Sequence, residues 1–260
     1  MTAQAPGELF SLEGRVAVVT GASVGLGAGL AEGLAAAGAH VVLAARREER
    51  LRELAAELEA RGAKALAVAC DVTSPDAVDQ LLERSVSHFG RVDLLVNNAG
   101  ITEVVPAEEE TLECWDQVTG VNLRGLFVCC QRFGRVMLEQ QQGAIVNVAS
   151  MLGLVGSGQV PQASYAASKG GVVNLTRELG AQWARRGVRV NAIAPGWFES
   201  EMTADMFDDE GSRRWMRNRT PMGRPGQDGE LLGALLFLAS DAASFVTGQT
   251  IAVDGGWTIV

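Results

Sequence analysis

The stretch Arg15-Val16-Ala17-Val18-Val19-Thr20-Gly21-Ala22-Ser23-Val24-Gly25-Leu26-Gly27 decides the fold. Arg15–Thr20 is a short β-branched run of strand composition. The glycines that follow permit a tight turn, and the residues after Gly25 are the small and aliphatic ones of a helix. A strand, a glycine turn and a helix in that order leave free N–H groups and the positive end of a helix dipole facing one point, where a phosphate can be received. Such turns also serve as plain β–α connectors and as S-adenosylmethionine sites, so the turn alone leaves its ligand open. The absence of Gly-Lys-Ser/Thr excludes a Walker-type phosphate loop.

Outward from this turn the same alternation continues. Strand-like runs lie at Arg15–Thr20, His40–Ala45, Lys64–Cys70, Val92–Asn97, Ala144–Ala149, Arg189–Ile193 and Thr250–Val253. Between them are helical segments near Gly25–Ala37, Arg47–Arg61, Pro75–Phe89, Thr111–Gln140, Ser164–Arg186 and Asp228–Ser240. Ser74 before Pro75 is an N-cap followed by proline at the first helical position. Right-handed crossovers then predict an α/β fold: a doubly wound, Rossmann-like, seven-stranded parallel sheet with helices on both faces, in a single domain over residues 1–260. The cofactor crevice is expected at the C-terminal edge of the strands. Residues 196–226, rich in Trp, Met, Arg and Asp, break the alternation. They read as a partly helical lid over a substrate, or else as an excursion that packs on another subunit.

Composition narrows the partners. Twenty-two basic against 31 acidic residues give a formal charge of −9, which repels nucleic acid and anionic lipid. Met1–Arg15 has no basic patch followed by an apolar core, so no secretory signal is expected. No run approaches the length of a membrane span. The four cysteines, Cys70, Cys114, Cys129 and Cys130, form no CxxC pair, and with only His40 and His88 available no metal site or histidine triad is expected. They read as small core residues of a cytoplasmic protein.

Further along, the chain carries Asn97-Asn98-Ala99-Gly100, the set Ser150/Tyr165/Lys169, Pro195-Gly196, and Thr247-Gly248-Gln249 followed by Asp254-Gly255-Gly256. With Thr-Gly-x-x-x-Gly-x-Gly at Thr20–Gly27, these marks resemble the short-chain dehydrogenase/reductase family over nearly the whole chain. The resemblance implies a nicotinamide dinucleotide cofactor. Gly21, Ser23, Val24, Gly25, Leu26 and Gly27 would hold its pyrophosphate, and Asp71 with Val72 would meet the adenine. Asn98, Ala99 and Gly100 would line the adenosine ribose. Pro195, Gly196 and Phe198 would flank the nicotinamide, with Ser200 where the family usually has threonine. It also implies Asn122 as support for a water relay, and a four-helix interface between subunits built by Thr111–Gln140 and the small-residue surface of Ala166, Ala167, Gly170 and Gly171. A homotetramer is therefore expected, with a dimer next.

Tyr165 is the only tyrosine, and Lys169 is one of two lysines; four residues apart on a helix, they share a face. A phenol of ordinary pKa exchanges protons slowly at neutrality. An ammonium ~4 Å away contributes about 4 kcal/mol at an effective dielectric of 20, enough to lower the phenol by up to about three units. Tyr165 is thus expected as general acid/base and Lys169 as its tuner and ribose ligand. Ser150 is expected as the donor that polarises the substrate oxygen. Ser157 and Ser164 are rival serines, and Ser150 is preferred because it ends a strand.

The second strand ends Ala44-Ala45-Arg46-Arg47, with alanine where an NAD-selecting carboxylate would stand. Arg46 can fork onto a 2′-phosphate, so NADP(H) is preferred and NAD(H) possible. Val24 supplies no second cation, and Glu48 and Glu49 could draw either arginine into surface pairs. The expected activity is hydride transfer between NADP(H) and a small carbonyl or secondary alcohol. The alternatives are an NAD-linked sugar or sugar-acid dehydrogenase, suggested by Pro195–Thr203, a non-catalytic dinucleotide sensor, and a methyltransferase. The apolar residues Met151, Leu152, Val155, Trp197, Phe198, Met202, Met206 and Phe207 are expected to line the substrate pocket.

Overall fold

A computed structural model describes residues 6–260; the part of the Met1–Arg15 reading that covers residues 1–5 lies outside them. A short helix α1 (Pro6–Leu9) precedes β1 (Val16–Thr20), α2 (Gly25–Ala36), β2 (His40–Ala45), α3 (Glu48–Ala60), β3 (Ala65–Ala69), α4 (Pro75–Phe89) and β4 (Leu94–Asn97). Then follow α5 (Leu112–Thr119), a π-helical stretch Gly120–Gly125, α6 (Leu126–Gln140), β5 (Gly143–Val148), α7 (Ala163–Trp183) and β6 (Val188–Pro195). The remainder is α8 (Ala204–Asp208), α9 (Glu210–Arg219), α10 (Leu232–Ala239) and β7 (Thr250–Val253).

The seven strands form one sheet in the order β3-β2-β1-β4-β5-β6-β7, every neighbouring pair parallel. This is the doubly wound arrangement, with its switch point between β1 and β4. The strands are largely apolar because both faces are covered, with Asn147 in β5 and Arg189 and Asn191 in β6 as polar interruptions. Ala17, Val19, Val41 and Leu43 face α2, α3 and α10, packing with Leu34, Leu51 and Leu235. Their alternates Val16, Val18, Val42 and Ala44 face α4, α6 and α7, packing with Leu81, Phe133 and Val172. Cys70, Cys129 and Cys130 are buried on that second side, and all four cysteines are free. Among the described residues no helix is long and apolar enough to cross a membrane, and no His, Cys, Asp or Glu group could hold a metal ion.

Two expected helices differ. The Thr111–Gln140 segment is one rod interrupted by the π-helical stretch around Asn122. The Asp228–Ser240 helix begins only at Leu232, because Glu230 ties down the preceding turn by accepting from the Gln227 N–H (2.7 Å) and both Arg224 terminal nitrogens (2.7 and 2.8 Å).

A polar thread crosses the second core. The Asn97 amide donates to Asn147 Oδ1 at 2.9 Å, and Asn147 donates to Thr176 Oγ1 at 2.9 Å. Thr176 in turn donates to Val172 O at 2.8 Å. These bonds fix β4, β5 and α7 relative to one another, and buried groups of this kind are costly to orphan. Asn147→Ala leaves Asn97 with only the weak thiol of Cys130 at 3.2 Å and removes the Asn147 donor from Thr176. At about 1–3 kcal/mol per orphaned group, urea unfolding is expected to show a loss of roughly 2–4 kcal/mol.

Candidate active site

Three strand ends meet at the switch point. The Thr20 hydroxyl oxygen accepts from the backbone N–H groups of Asn98 (3.1 Å) and Ala99 (3.2 Å). The Asn98 amide donates back to Thr20 O (3.2 Å) and Gly21 O (3.1 Å). Asn98 therefore spends its side chain holding the glycine turn against the end of β4. The turn packs so closely that a Cβ on Gly27 would sit 2.1 Å from Gly21 O. Helix α2 starts after Val24, which offers no side-chain cap, so its first N–H groups are free of protein side-chain acceptors and suit an anionic group. This cradle fits the pyrophosphate of a dinucleotide.

Charge gathers beside it. Arg47, at the end of β2, donates to Ser23 Oγ at 3.2 Å and forms a two-point ion pair with Glu201 at 3.0 and 3.2 Å. Glu48 and Glu49 pair with Arg52 instead and leave both arginines alone. Arg46 is exposed and without a hydrogen bond or ion pair among the described residues; its charge is felt at Asp71. The Asp71 carboxyl is held below its ordinary value chiefly by the Thr73 N–H at 2.9 Å, with the Thr73 hydroxyl at 2.8 Å and Arg46 adding to the effect. Ser200 folds back over the turn: a Cβ on Gly25 would lie 3.5 Å from Ser200 Cβ.

The second half of the site is built on β5 and α7. β5 ends at Val148, two residues earlier than Ser150, which caps a 3₁₀ turn over Met151–Gly153 by accepting from Leu152 N at 3.1 Å. That turn lies directly on α7, since a Cβ on Gly153 would meet Lys169 O at 2.6 Å. Ser150 is thereby brought into hydrogen-bonding reach of the Tyr165 phenol. The rivals stand elsewhere: Ser157 donates to its own loop at Val160 O (2.8 Å), and Ser164 is wholly buried with no hydrogen-bond partner. Lys169 is buried, donates to Val148 O at 2.8 Å, and holds its Nζ 5.6 Å from the centre of the Tyr165 ring. Asn122, in the π-helical stretch, clamps the loop after β4. Its Oδ1 accepts from Ile101 N (2.8 Å), and its amide donates to Ile101 O (2.9 Å) and Ser168 Oγ (3.1 Å). Helical defects of this type recur at functional sites.

The protonation energetics correct one expectation. Burial pushes the Tyr165 phenol above its ordinary value, and the Ser150 hydrogen bond recovers only part of that. The same burial lowers Lys169 to about 8. Desolvation, which penalises whichever form is charged, outweighs the phenol–ammonium attraction.

Residues 196–226 contain α8 and α9, and part of the segment packs beside Tyr165. Tyr165 packs in an apolar cluster with Met151, Leu152 and Trp197, joined by Met206 and Phe207 of α8 and by Trp215 and Met216 of α9. Val155 also belongs to it. Two expected lining residues do not. Phe198 turns into the main core, its ring against Gly226, and Met202 is exposed outside the cluster.

A family model described as enoyl-(acyl carrier protein) reductase matches residues 21–258. Gluconate 5-dehydrogenase of Gluconobacter oxydans (strain 621H) is 44% identical over 253 residues, covering 97% of this chain and 98% of that protein. A short-chain type dehydrogenase/reductase from Mycobacterium marinum superimposes with a TM-score of 0.93 at 37% identity, over 97% of this chain and 99% of that one. The chain belongs to the short-chain dehydrogenase/reductase family. A gluconate 5-dehydrogenase from Burkholderia cenocepacia J2315, in complex with NADP and tartrate, matches with a TM-score of 0.95 at 39% identity, over 98% of this chain and all of that one. As a member of the short-chain dehydrogenase/reductase family the chain is an NAD(P)-dependent oxidoreductase acting on CH–OH groups, which displaces the methyltransferase and sensor readings.

Arg47 and Glu201, paired beside the glycine turn, and Ser168, bonded to Asn122, are the contacts that sequence reasoning passed over. Arg47 adjoins Arg46 and was open to inspection, whereas the Arg47–Glu201 contact joins residues 154 apart and has no local signal. Ser168, next to Lys169, reads as an ordinary helix residue.

The lowered pKa of Lys169 has a stability consequence. Because its folded value (about 8) lies below its unfolded one, the unfolded chain binds more protons between those values, and stability rises with pH there. Tyr165 acts oppositely only above its ordinary pKa of ~10, where the folded chain retains the proton and stability falls. From about pH 8 to pH 10, urea unfolding of the parent is therefore expected to gain stability relative to Lys169→Met. Equal slopes for the two proteins over that interval would remove the effect.

Proposed function

We propose that this oxidoreductase uses Tyr165 as general acid/base, Ser150 as the donor to the substrate oxygen, and Lys169 and Asn122 as positioning groups, with NADP(H) as the preferred cofactor. The observation that carries the reading is the convergence of the Ser150 hydroxyl on the Tyr165 phenol, with buried Lys169 one helical turn further on. The glycine turn and α2 would hold the pyrophosphate and Asp71 the adenine. Asn98, Ala99 and Gly100 would stand at the ribose, and Pro195 and Gly196 at the nicotinamide. When bound, the nicotinamide supplies or accepts the hydride. The chain's own part is to place the substrate oxygen between Ser150 and Tyr165 and to move one proton at the phenol oxygen. Raised by burial, Tyr165 is protonated at neutral pH and ready to donate in the reducing direction.

For cofactor choice, Ala45 supplies no carboxylate, and Arg47 already rests on Ser23 of the glycine turn with Arg46 beside it. NADP in the Burkholderia cenocepacia relative supports the same preference. A sugar or sugar acid is the second substrate reading, favoured by the names of the gluconate and galactitol dehydrogenases among the relatives. Residues 196–226 are proposed as a lid on a single domain, because they carry five members of the apolar cluster against which Tyr165 packs. A homotetramer, with a dimer next, is proposed from exposed Leu112, Trp115 and Phe127 beside a groove of about 630 Å³ lined by Leu123, Arg124, Phe127 and Leu175. The buried free cysteines suit the cytoplasm.

Tyr165→Phe is expected to bind NADPH as the parent does while kcat falls by ~10²–10⁴; near-parental turnover overturns the acid/base role. Arg46→Ala and Arg47→Ala are expected to lower kcat/KM for NADP(H) by roughly ten-fold or more each, the worth of a charge-assisted bond, with little change for NAD(H). A parent that favours NAD(H), or a ratio unmoved in both variants, removes the arginines as selectors.

A further inference from the structure

We infer that the site at Tyr165 takes a secondary alcohol or ketone carried on a hydrocarbon frame, and discriminates against open-chain polyhydroxy acids. The inference rests on the catalytic reading of Tyr165 given above and adds the chemical class of its substrate.

The apolar cluster against which Tyr165 packs comes from five parts of the chain: the turn after β5, the loop before α7, the residues just after β6, the two helices of residues 196–226, and the turn after β7. Each contributes apolar side chains, among them Met151 and Leu152, Val155, Trp197, Met206 with Phe207, and Trp257. Most charged residues of α8 and α9 face away, since Asp205, Asp208, Glu210, Arg213, Arg214 and Arg217 are exposed. The one that meets the cluster, Arg219, lays its guanidinium over the Trp257 ring at 5.1 Å. These short helices thus present an apolar face to Tyr165 and a charged face to solvent.

Polar side chains on the same segments are already committed to their own chain. Ser157 donates to Val160 O (2.8 Å), and Thr203 to Phe198 O (2.7 Å). Thr220 donates to Met216 O (2.7 Å), and Thr102 to Gln162 Oε1 (2.9 Å). The indole N–H groups of Trp197 and Trp257 are buried without a hydrogen-bond partner. Each ring meets the other indoles at a steep angle.

A polyhydroxy acid entering this wall would strip water from its non-reacting hydroxyls and find few partners for them beyond the indole N–H groups. A hydrocarbon frame loses nothing comparable and gains contact with thioether and aromatic surface. Apolar pockets distinguish isosteres that differ by a hydroxyl by about 10²-fold, so selection against several hydroxyls at once is expected to be at least ten-fold.

The test compares kcat/KM for cyclohexanone, 2-heptanone and 5-ketogluconate, each with NADPH and NADH, in the parent, Tyr165→Phe, Phe207→Gln and the milder Val155→Thr. NADPH binding serves as the check that each variant is folded. Expected in the parent is a preference of at least ten-fold for one of the two hydrocarbon ketones over 5-ketogluconate, narrowed in Phe207→Gln and, less so, in Val155→Thr. A parent that turns over 5-ketogluconate best, or a ratio unmoved in both wall variants, overturns the substrate class while leaving the Tyr165 mechanism standing. Turnover that is the same in Tyr165→Phe as in the parent overturns the catalytic reading, and the inference falls with it.

Discussion

The Asn98 amide, bonded to the carbonyls of Thr20 and Gly21, spans the point where the sheet changes its direction of winding. Everything proposed for this site hangs from that stitch. On one side it fixes the glycine turn and the start of α2. On the other it fixes the end of β4, whose Asn97 is in register with Asn147 of β5. Ser150 lies three residues beyond Asn147, and Val148, between them, supplies the carbonyl that receives Lys169. The phosphate cradle and the proton-handling group are therefore referenced to one edge of one rigid sheet, and short bonds between strand ends set the spacing between them. Placement on strands and helix ends gives a precision that loops do not offer.

The electrostatics of the Tyr165–Lys169 pair follow from dryness more than from proximity. Burial raises the phenol and lowers the ammonium to about 8, so both neutral forms are favoured and the two proton affinities are driven apart. The apolar wall that excludes water from the substrate is the same wall that produces this effect. Selectivity and acidity are thus not independently adjustable: a polar group introduced to recruit a hydroxylated substrate would also rehydrate the phenol.

The architecture was legible because both sheet faces are covered, so the strands are mostly apolar runs bounded by glycine or polar residues. His40–Ala45 and Thr250–Val253 are read to the residue, and the other strands within a residue or two at each end. The lone tyrosine before Lys169 was equally visible, since a single residue type at a single spacing needs no tertiary information. What escaped is tertiary by nature. The π-helical stretch at Asn122 depends on Ile101, a residue from another element. Phe198 looks like a pocket residue from its neighbours Trp197 and Ser200, yet its ring turns inward because Gly226 leaves it room. The orientation of the Tyr165 pKa shift was missed because a pairwise Coulomb argument contains no desolvation.

The three indoles of Trp197, Trp215 and Trp257 meet with ring centres 5.1–5.7 Å apart and planes inclined by 65–76°. They come from the end of β6, from α9 and from the turn after β7, so the cluster exists only while α9 is docked. Chromophores this close and this steeply inclined share their excitation, and the sharing gives a signed band pair in the ultraviolet circular dichroism. Trp115 and Trp183 lie outside the group and supply an uncoupled background. The molecule consequently carries its own optical gauge of whether residues 196–226 are seated, readable in solution without a label.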